Sequence, residues 1–314
     1  MDLSRRQALQ KLATGTAAVA ATACFTTIAL PGMAHASDVA AAPKNAVSML
    51  YDSTRCIGCQ SCVAACAEAN SLQPDTRLSA GLHLAPPDLN SFTKNIIKLY
   101  KPNDNSRYSY VKQQCMHCVD PACVGGCSFF ALTKNSDNGV VSWNSKKCMG
   151  CRYCEISCPF HVPKFQWEGF NPKIVKCEFC KERLAAGNTP ACTSVCPTRA
   201  VIFGSREELL EEGKKRLAEN PAKYYGDRVY GENDGGGTQV LYLAHVPFEK
   251  LGLPELGTES IPSKYLKWQR RLYSYLAVPV VLYASMVGTI RGNWKEHRKH
   301  MEEDQQQTGL RPQL

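Results

Sequence analysis

Residues 148–159 read CMGCRYCEISCP, in which four cysteines are separated by two, two and three residues and are followed by a proline. The chain contains 314 residues and 17 cysteines. Apart from Cys24, every cysteine belongs to one of four groups of four, and the quoted stretch holds the third group. In chain order the groups are Cys56, Cys59, Cys62 and Cys66; Cys115, Cys118, Cys123 and Cys127; Cys148, Cys151, Cys154 and Cys158; and Cys177, Cys180, Cys192 and Cys196. One chemistry should therefore explain all of these thiols.

Three chemistries compete for such groups. Disulfides are common in exported proteins, but cysteines this close together on one loop seldom pair without strain. Structural zinc uses two separated C-x-x-C pairs and is complete with four ligands, so it has no use for a third cysteine at i+6. The run C-x-x-C-x-x-C-x-x-x-C-P is instead typical of proteins in which three cysteines bind one [4Fe–4S] cluster and the fourth binds a second cluster. The third group has this pattern in full, and the first has the same spacing with Ala67 in place of the proline. We therefore expect iron–sulfur clusters.

The chain also contains an internal repeat. YDSTRCIGCQSC at 51–62 aligns without gaps to WNSKKCMGCRYC at 143–154. The second and fourth groups share an initial C-x-x-C and a later PAC. A duplicated two-motif unit follows from this order, and it predicts four [4Fe–4S] clusters. NGVVSW at 138–143 predicts a turn and a short strand between the second and third groups, which favours pairing those two and leaves the first to pair with the fourth. Spacing alone leaves open which cluster each fourth cysteine serves.

The rest of the sequence contains no catalytic motif. It has no nucleophile elbow, Walker loop, HExxH or dinucleotide fingerprint. The formal net charge is +9, which four oxidised clusters with cysteine ligands, at about −8 in total, would largely offset. The basic excess therefore does not indicate nucleic acid. We predict an electron-transfer protein that is not an enzyme by itself.

The N-terminus has the features of a signal peptide. Arg5 and Arg6 precede an apolar run from residue 13 to 30, and AHA at 34–36 offers a cleavage site. A twin-arginine pair marks the export route for folded proteins. This predicts a twin-arginine signal peptide over 1–36 and explains how clusters assembled in the cytoplasm could reach the periplasm.

The C-terminal region combines an extension with an apolar segment. Residues 205–220 predict a helix in which Ser205 and Glu208 form a capping box. A glycine-rich turn and a strand are expected over 230–256. Residues 272–290 contain no charged side chain and are long enough for one membrane crossing. We therefore predict an extension over 205–263, a transmembrane anchor with its flanks over 264–294, and a cytoplasmic tail over 295–314.

These motifs together resemble a known family. CMHCVDPAC, CMGCRYCEISCPFHVPK and CPTRAVIFGSREEL are similar to the four-cluster ferredoxin-type subunits of bacterial respiratory complexes, over residues 49 to about 210. The stretch GENDGGGTQVLYLAHVPFEKLGLPEL, the leader and the apolar segment most resemble the periplasmic iron–sulfur subunit of hydrogenase-2 type [NiFe] hydrogenases. The alternative is the beta subunit of a molybdenum enzyme such as membrane-bound formate dehydrogenase, which typically has no leader. A third possibility, from another class, is an exported structural protein stabilised by disulfides or zinc.

The resemblance implies an α+β fold made of two nested bacterial-ferredoxin-like units. Residues 37–110 and 164–204 would form the outer unit, and 111–163 the inner unit. The implied ligand sets are Cys56, Cys59, Cys62 and Cys196 for cluster 1; Cys115, Cys118, Cys123 and Cys158 for cluster 2; Cys148, Cys151, Cys154 and Cys127 for cluster 3; and Cys177, Cys180, Cys192 and Cys66 for cluster 4. The implied partners are the small and large subunits of a [NiFe] hydrogenase and an integral membrane subunit that reacts with quinone, with lipid around the C-terminal helix. The implied location is the periplasmic side of the inner membrane.

Overall fold

The structure is a computed structural model that describes residues 41–72, 88–102, 108–167 and 173–308. Within the last helix, the side chains of residues 266, 267, 269–278 and 304–308 lie outside this description. The predicted signal peptide and the last six residues of the predicted tail also lie outside the described residues. The chain divides after Lys264, and the four cysteine groups lie in the unit Ser37–Lys264.

The unit Ser37–Lys264 mixes short strands with short helices. Its strands are β1 (Val47–Asp52), β2 (Asn95–Tyr100), β3 (Ser109–Gln114), β4 (Leu132–Lys134), β5 (Val141–Trp143), β6 (Lys164–Phe165), β7 (Ile174–Val175), β8 (Val201–Ser205) and β9 (Val240–Leu243). Its α-helices are α1 (Ser61–Ala69), α2 (Ala122–Gly125), α3 (Tyr153–Ser157), α4 (Lys181–Ala185), α5 (Ala191–Ser194) and α6 (Arg206–Glu219). Short 3₁₀ turns cover Ser145–Lys147, Pro221–Lys223, Asp234–Gly236 and Phe248–Leu251. The α+β class expected from the sequence is confirmed.

A three-stranded sheet joins the two ends of the cysteine-bearing region. Its order is β8-β1-β9, with β1 antiparallel to β8 and parallel to β9. Tyr51 near the end of β1 pairs with Val201 at the start of β8. The first group begins shortly after β1 and the fourth ends shortly before β8, so this pairing brings the two groups to the same end of the sheet. The expected strand within 230–256 is β9.

The other strands form hairpins between the groups. β2 pairs with β3 ahead of the second group, β4 pairs with β5 between the second and third groups, and β6 pairs with β7 ahead of the fourth. The turn and strand predicted from NGVVSW are confirmed, since β5 follows the left-handed Gly139. Helix α1 packs against α5, and α2 packs against α3. The helices that carry cysteines of the first and fourth groups are thus neighbours, as are those of the second and third.

The buried side chains of the described residues form three apolar clusters. The largest surrounds the first, second and fourth groups and includes Met49, Tyr51 and Phe179. A second cluster packs Leu209 and Leu217 of α6 against the sheet β8-β1-β9, which is called the outer sheet below. Each such fully buried leucine contributes about 2 kcal/mol to stability. The smallest surrounds the third group. Helix α6 begins at the predicted cap, where Ser205 accepts from the backbone of Glu208 and the Glu208 side chain accepts from the backbone of Ser205.

The last helix, α7, runs from Ile261 to Thr308 and has Pro279 inside it. It includes the apolar stretch and continues into the charged residues that follow Ile290. Among the described residues, no helix is both long and apolar enough to cross a membrane. The span predicted at 272–290, which includes residues whose side chains lie outside this description, is not shown.

Candidate iron–sulfur centres

The first centre is a cavity beside the outer sheet. Cys56, Cys59, Cys62 and Cys196 line one cavity. Cys56 and Cys59 come from the loop between β1 and α1, and Cys62 comes from the first turn of α1. Cys196 comes from the loop that leads into β8. Tyr51, Ile97 and Val201 contribute apolar wall, and Lys112 contributes a charge. The pairing of β1 with β8 is what brings Cys196 to a loop that lies far from it in sequence.

The third group forms an equivalent cavity. Cys127, Cys148, Cys151 and Cys154 line it. Leu132 and Phe165 form its apolar wall, as do Phe129, Met149 and Ile174. Cys127, the fourth cysteine of the second group, therefore lies with the first three cysteines of the third group. The packing of α2 against α3 positions it there.

The remaining cysteines lie in two further sets. Burial raises the pKa of Cys118 well above its usual range, and the neighbouring sulfur atoms of Cys115, Cys158 and Cys123 raise it further. Burial likewise raises the pKa of Cys177, and Cys66 and Cys192 add to the effect. Cys180 acts in the same way on Cys66 and Cys192. These effects place Cys158 near the first three cysteines of the second group and Cys66 near those of the fourth, while Cys115 also acts on Cys177.

Each loop bends in the same way. The residue before the second cysteine has a positive φ in all four groups: Gly58 at 70°, His117 at 47°, Gly150 at 71° and Phe179 at 54°. A left-handed residue at this point turns successive backbone N–H groups toward one side, an arrangement that binds negatively charged groups, including iron–sulfur clusters. At Gly58 the bend is also crowded, since an added Cβ would lie 2.4 Å from the ring of Tyr110. Gly58 therefore serves both the bend and the close packing.

Several sulfur atoms accept hydrogen bonds from the protein. The backbone N–H of Phe179 donates to Cys177 Sγ at 3.5 Å, and that of Ala131 donates to Cys127 Sγ at 3.3 Å. Asn70 Nδ2 lies 3.6 Å from Cys66 Sγ. Hydrogen bonds to ligand sulfurs stabilise negative charge and raise the reduction potential of a cluster.

The chemistry of these thiols fits iron–sulfur clusters. All sixteen are free in the structure, and burial raises the pKa of Cys62, Cys66, Cys123 and Cys154 to about 12. Without a metal they would stay protonated at neutral pH, whereas binding to a metal deprotonates a thiol. Among the described residues, no set of cysteine, histidine or carboxylate side chains is placed to hold a single metal ion. A [4Fe–4S] cluster requires a different placement of its ligands, because its four cysteines surround a whole cluster and not one ion.

His117 is a structural neighbour of the second group, as expected from its position between two cysteines. Its ring is fully buried, and Nδ1 accepts the backbone N–H of Val141 at 3.0 Å. The ring packs edge-on against Phe179, with centroids 4.2 Å apart. Burial lowers the pKa of His117 well below its usual range, so the imidazole is neutral. It fixes β5 against the cysteine loop.

Two buried lysines were not found by sequence analysis. Lys112 on β3 and Lys176 beside Cys177 have exposed fractions of 1% and 2%. Lys176 Nζ donates to the carbonyl oxygens of Val141 and Cys177 at 2.5 and 2.9 Å. A lysine a few residues before a cysteine group was the available signal, but only the structure shows that both ammonium groups point inward.

Comparisons with known proteins place the chain among iron–sulfur proteins. A family described as "4Fe-4S dicluster domain" matches residues 106–206, which include the second, third and fourth groups. The "Hydrogenase-2 operon protein HybA" of Escherichia coli O157:H7 is 39% identical over 303 residues, covering 85% of this chain and 91% of that protein. This chain belongs to the HybA family of iron–sulfur proteins. The "Formate dehydrogenase-O iron-sulfur subunit" of Escherichia coli K12 is 31% identical over 271 residues, covering 83% of this chain and 90% of that protein.

As a member of this family, the chain is an electron-transfer iron–sulfur subunit that carries [4Fe–4S] clusters. The nitrate-inducible formate dehydrogenase iron–sulfur subunit of Escherichia coli K12 is also related, at 34% identity over 64% of this chain and 69% of that protein. The hydrogenase-type and formate-dehydrogenase-type relatives thus share the cysteine-bearing unit with this chain.

Proposed function

We propose that this chain is a non-catalytic electron relay between a periplasmic [NiFe] hydrogenase and an integral membrane subunit that reacts with quinone. The observation that supports it best is that sixteen free thiols lie in one unit and that eight of them line two cavities in sets of four. When bound, [4Fe–4S] clusters accept and release single electrons. Four such centres in one small unit suit a relay.

The proposed ligand sets cross between neighbouring groups. The first three cysteines of the first group act with Cys196, and those of the third group act with Cys127. Both sets line single cavities, which supports the assignment. The second group then acts with Cys158 and the fourth with Cys66, in line with the mutual effects of these sulfurs on one another's pKa. The nested division into 37–110 with 164–204 and 111–163 follows from the same sets.

The protein's own residues hold and insulate these centres. The cysteines supply thiolates, and the left-handed loop residues aim backbone N–H groups toward them. Apolar walls, such as Leu132 and Phe165 at the third-group cavity, keep water from the sulfur atoms. Exclusion of water lowers the local dielectric and so makes each nearby charge count more in setting the reduction potential. No residue of the unit is assigned a catalytic role.

Hydrogenase is the proposed partner because of two features. The hydrogenase-2 operon protein is 39% identical and is covered over 91% of its length, whereas the formate dehydrogenase-O subunit is 31% identical at a similar coverage of 90%. Arg5 and Arg6 precede an apolar run, and they support export by the twin-arginine route with the clusters already in place. The periplasmic side of the inner membrane is therefore the proposed location.

The test is to isolate the tagged full-length chain from gently solubilised membranes. The eluate is assayed for iron, nickel and molybdenum, and for dye reduction with hydrogen or with formate. Nickel with hydrogen-dependent activity is expected. Molybdenum with formate-dependent activity would keep the relay and overturn the partner. A colourless, iron-free chain would overturn the relay itself, and would favour the structural alternative.

A matched variant tests the export step. Replacing Arg5 and Arg6 together by lysine keeps the charge but removes the twin-arginine signal. We expect the variant to stay in the cytoplasm as a brown protein with its full iron content. Equal amounts of variant and wild-type chain in the periplasm would contradict the proposed route.

A further inference from the structure

Lys112 occupies an unusual place for a lysine. It lies on β3, and only 1% of its surface is exposed. It lines the first-group cavity with Cys56, Cys59, Cys62 and Cys196, and it is the one charged residue among the described residues that line that cavity. Lysine is almost never buried to this degree unless its charge is compensated. Its surroundings should therefore contain a negative charge.

The compensating groups are cysteine sulfurs. The only hydrogen-bond acceptor recorded for Lys112 Nζ within the described residues is the neutral amide oxygen of Gln114. The groups that interact most strongly with its charge are Cys192, Cys62, Cys177 and Cys66. The side chain therefore lies among the sulfurs of two proposed ligand sets, whose bound clusters would compensate an ammonium charge.

The relation also holds in the opposite direction. After burial, Lys112 is the largest single influence on the sulfurs of Cys62, Cys66 and Cys192. Cys62 belongs to the first-group set, and Cys66 and Cys192 belong to the fourth-group set. A single side chain thus acts on both centres of the outer unit.

We propose that Lys112 is the buried counter-ion shared by the clusters of the first and fourth groups, and that its positive charge raises both reduction potentials. The inference rests on the proposed ligand sets, because it takes those two clusters as the source of the negative charge. Reduction adds one negative charge to a cluster, and a nearby cation in a low dielectric stabilises the reduced form. Lys112 is a positioning and tuning residue and carries no electron itself.

The chain offers two matched comparison lysines. Lys98 lies on β2 of the same hairpin, but it is partly exposed and pairs with Asp88 at 3.3 Å. Lys176 is as buried as Lys112, but its charge acts on Cys123 and Cys158 of the inner unit. Replacement of each by methionine removes the same charge from the chain. Only the position of the lost charge differs.

The experiment is a redox titration of the full-length chain, followed by electron paramagnetic resonance, after iron has been counted in each sample. In Lys112→Met we expect two clusters to become harder to reduce, with the equilibrium constant for reduction at least tenfold smaller, or about 59 mV for a one-electron couple. The first-group cluster is identified by the signal that is lost in Cys59→Ser. Lys98→Met should leave all potentials unchanged. Lys176→Met should shift the second-group cluster, which Lys112→Met should leave unchanged.

Lys112→Arg separates charge from shape. It keeps the cation, so the potentials should stay close to those of the wild type, and a shift as large as that of Lys112→Met would overturn the inference. Unchanged potentials in Lys112→Met with full iron content would overturn it as well. If Lys112→Met loses iron, Lys112→Met combined with Gln114→Leu removes the acceptor left without a donor and is titrated in its place. A wild-type chain without iron would instead overturn the proposed function.

Discussion

The two halves of the cysteine-bearing unit use the same loop pattern in different surroundings. In the outer half, which holds the first and fourth groups, the loops lie against the sheet β8-β1-β9 and the largest apolar cluster. In the inner half, which holds the second and third groups, the second group still shares the largest cluster through Cys115 and Met116, whereas the third group is supported by the short hairpin β4-β5 and the smallest cluster. Phe130, Met149 and Ile156 of the inner half are at least 70% exposed. Around the third group, the inner half therefore has less apolar burial with which to hold its loops.

This difference indicates which part of the unit depends on its clusters for stability. Apolar burial is the main favourable contribution to folding, so the outer sheet has a source of stability apart from any ligand. The inner hairpin is tied to the rest of the unit by a few polar contacts, such as the backbone N–H of Trp143 to Glu178 at 2.9 Å. In the inner half the metal–thiolate bonds should supply much of the stability, because binding energy at such sites is folding energy.

The largest expected effect comes from removing one ligand in each half. Cys62 and Cys154 occupy equivalent places in the two aligned repeats, and both are buried. In Cys154→Ser we expect one cluster to be lost and quinone reduction by the isolated complex to fall by about two orders of magnitude or more, because the relay is interrupted. The partner's hydrogen-dependent reduction of dyes should remain. Cys62→Ser should interrupt the relay as well.

The two serine variants differ in what happens to the fold. Cys154→Ser should expose β4 and β5 to proteolysis, whereas Cys62→Ser should leave the outer sheet intact. Quinone reduction that survives Cys154→Ser undiminished would contradict a linear relay. Equal protease sensitivity of the two variants would contradict the difference between the halves.

Removal of all iron is the next test. Chelation of the purified chain under anaerobic, reducing conditions should release the clusters and leave the thiols free. Hydrogen exchange should then show that amides of β4 and β5 lose most of their protection, while those of β1 and β9 keep theirs, because the outer sheet is held by apolar burial. Reconstitution with iron and sulfide serves as the control. Uniform loss of protection across both halves would show that the unit folds as one around its clusters.

Much of this arrangement could be predicted because cysteine spacing and loop geometry are local. The four groups, the hairpin after NGVVSW, the helix capped by Ser205 and the strand after the glycine-rich turn depend on neighbouring residues, and the structure has all of them. The cluster ligands were predicted from motif spacing and resemblance, and their assignment stays a prediction.

The buried lysines could not be predicted because their role depends on contacts between distant segments. Lys112 reads as an ordinary strand residue in SYVKQQ, and only the approach of the first and fourth groups surrounds it with sulfur. The parallel pairing of β9 with β1 is equally non-local. Nothing in the sequence distinguishes a strand at the edge of the core from one that, like β9, joins the central sheet.

A smaller effect is expected from one leucine in each half. Leu50 packs against α6, while Leu132 lines the third-group cavity, and both are about 1% exposed or less. Either change to alanine should lower the free energy of unfolding by about 3 kcal/mol. Leu132→Ala should also speed iron loss in air, because it opens the wall of a centre to water, and Leu50→Ala should not. The measurement is the rate of iron release, followed by absorbance. The two variants are compared after denaturant titrations have shown that their unfolding midpoints match.

The smallest expected effect concerns the cap of α6. Ser205→Ala removes one half of the capping box, so we expect it to lower the free energy of unfolding by about 1 kcal/mol. Helix α6 covers the outer sheet through Leu209 and Leu217 and contributes no ligand. The variant should therefore unfold earlier in denaturant with unchanged iron content and unchanged reduction potentials. Ser194→Ala, in which the lost hydroxyl donates to a carbonyl at the fourth group, serves as the comparison. Ser194→Ala can shift the potentials because it lies at the fourth group. If Ser205→Ala shifted them as well, the potentials of the outer clusters would depend on the stability of the outer sheet. The two halves would then differ only in how they bind their clusters.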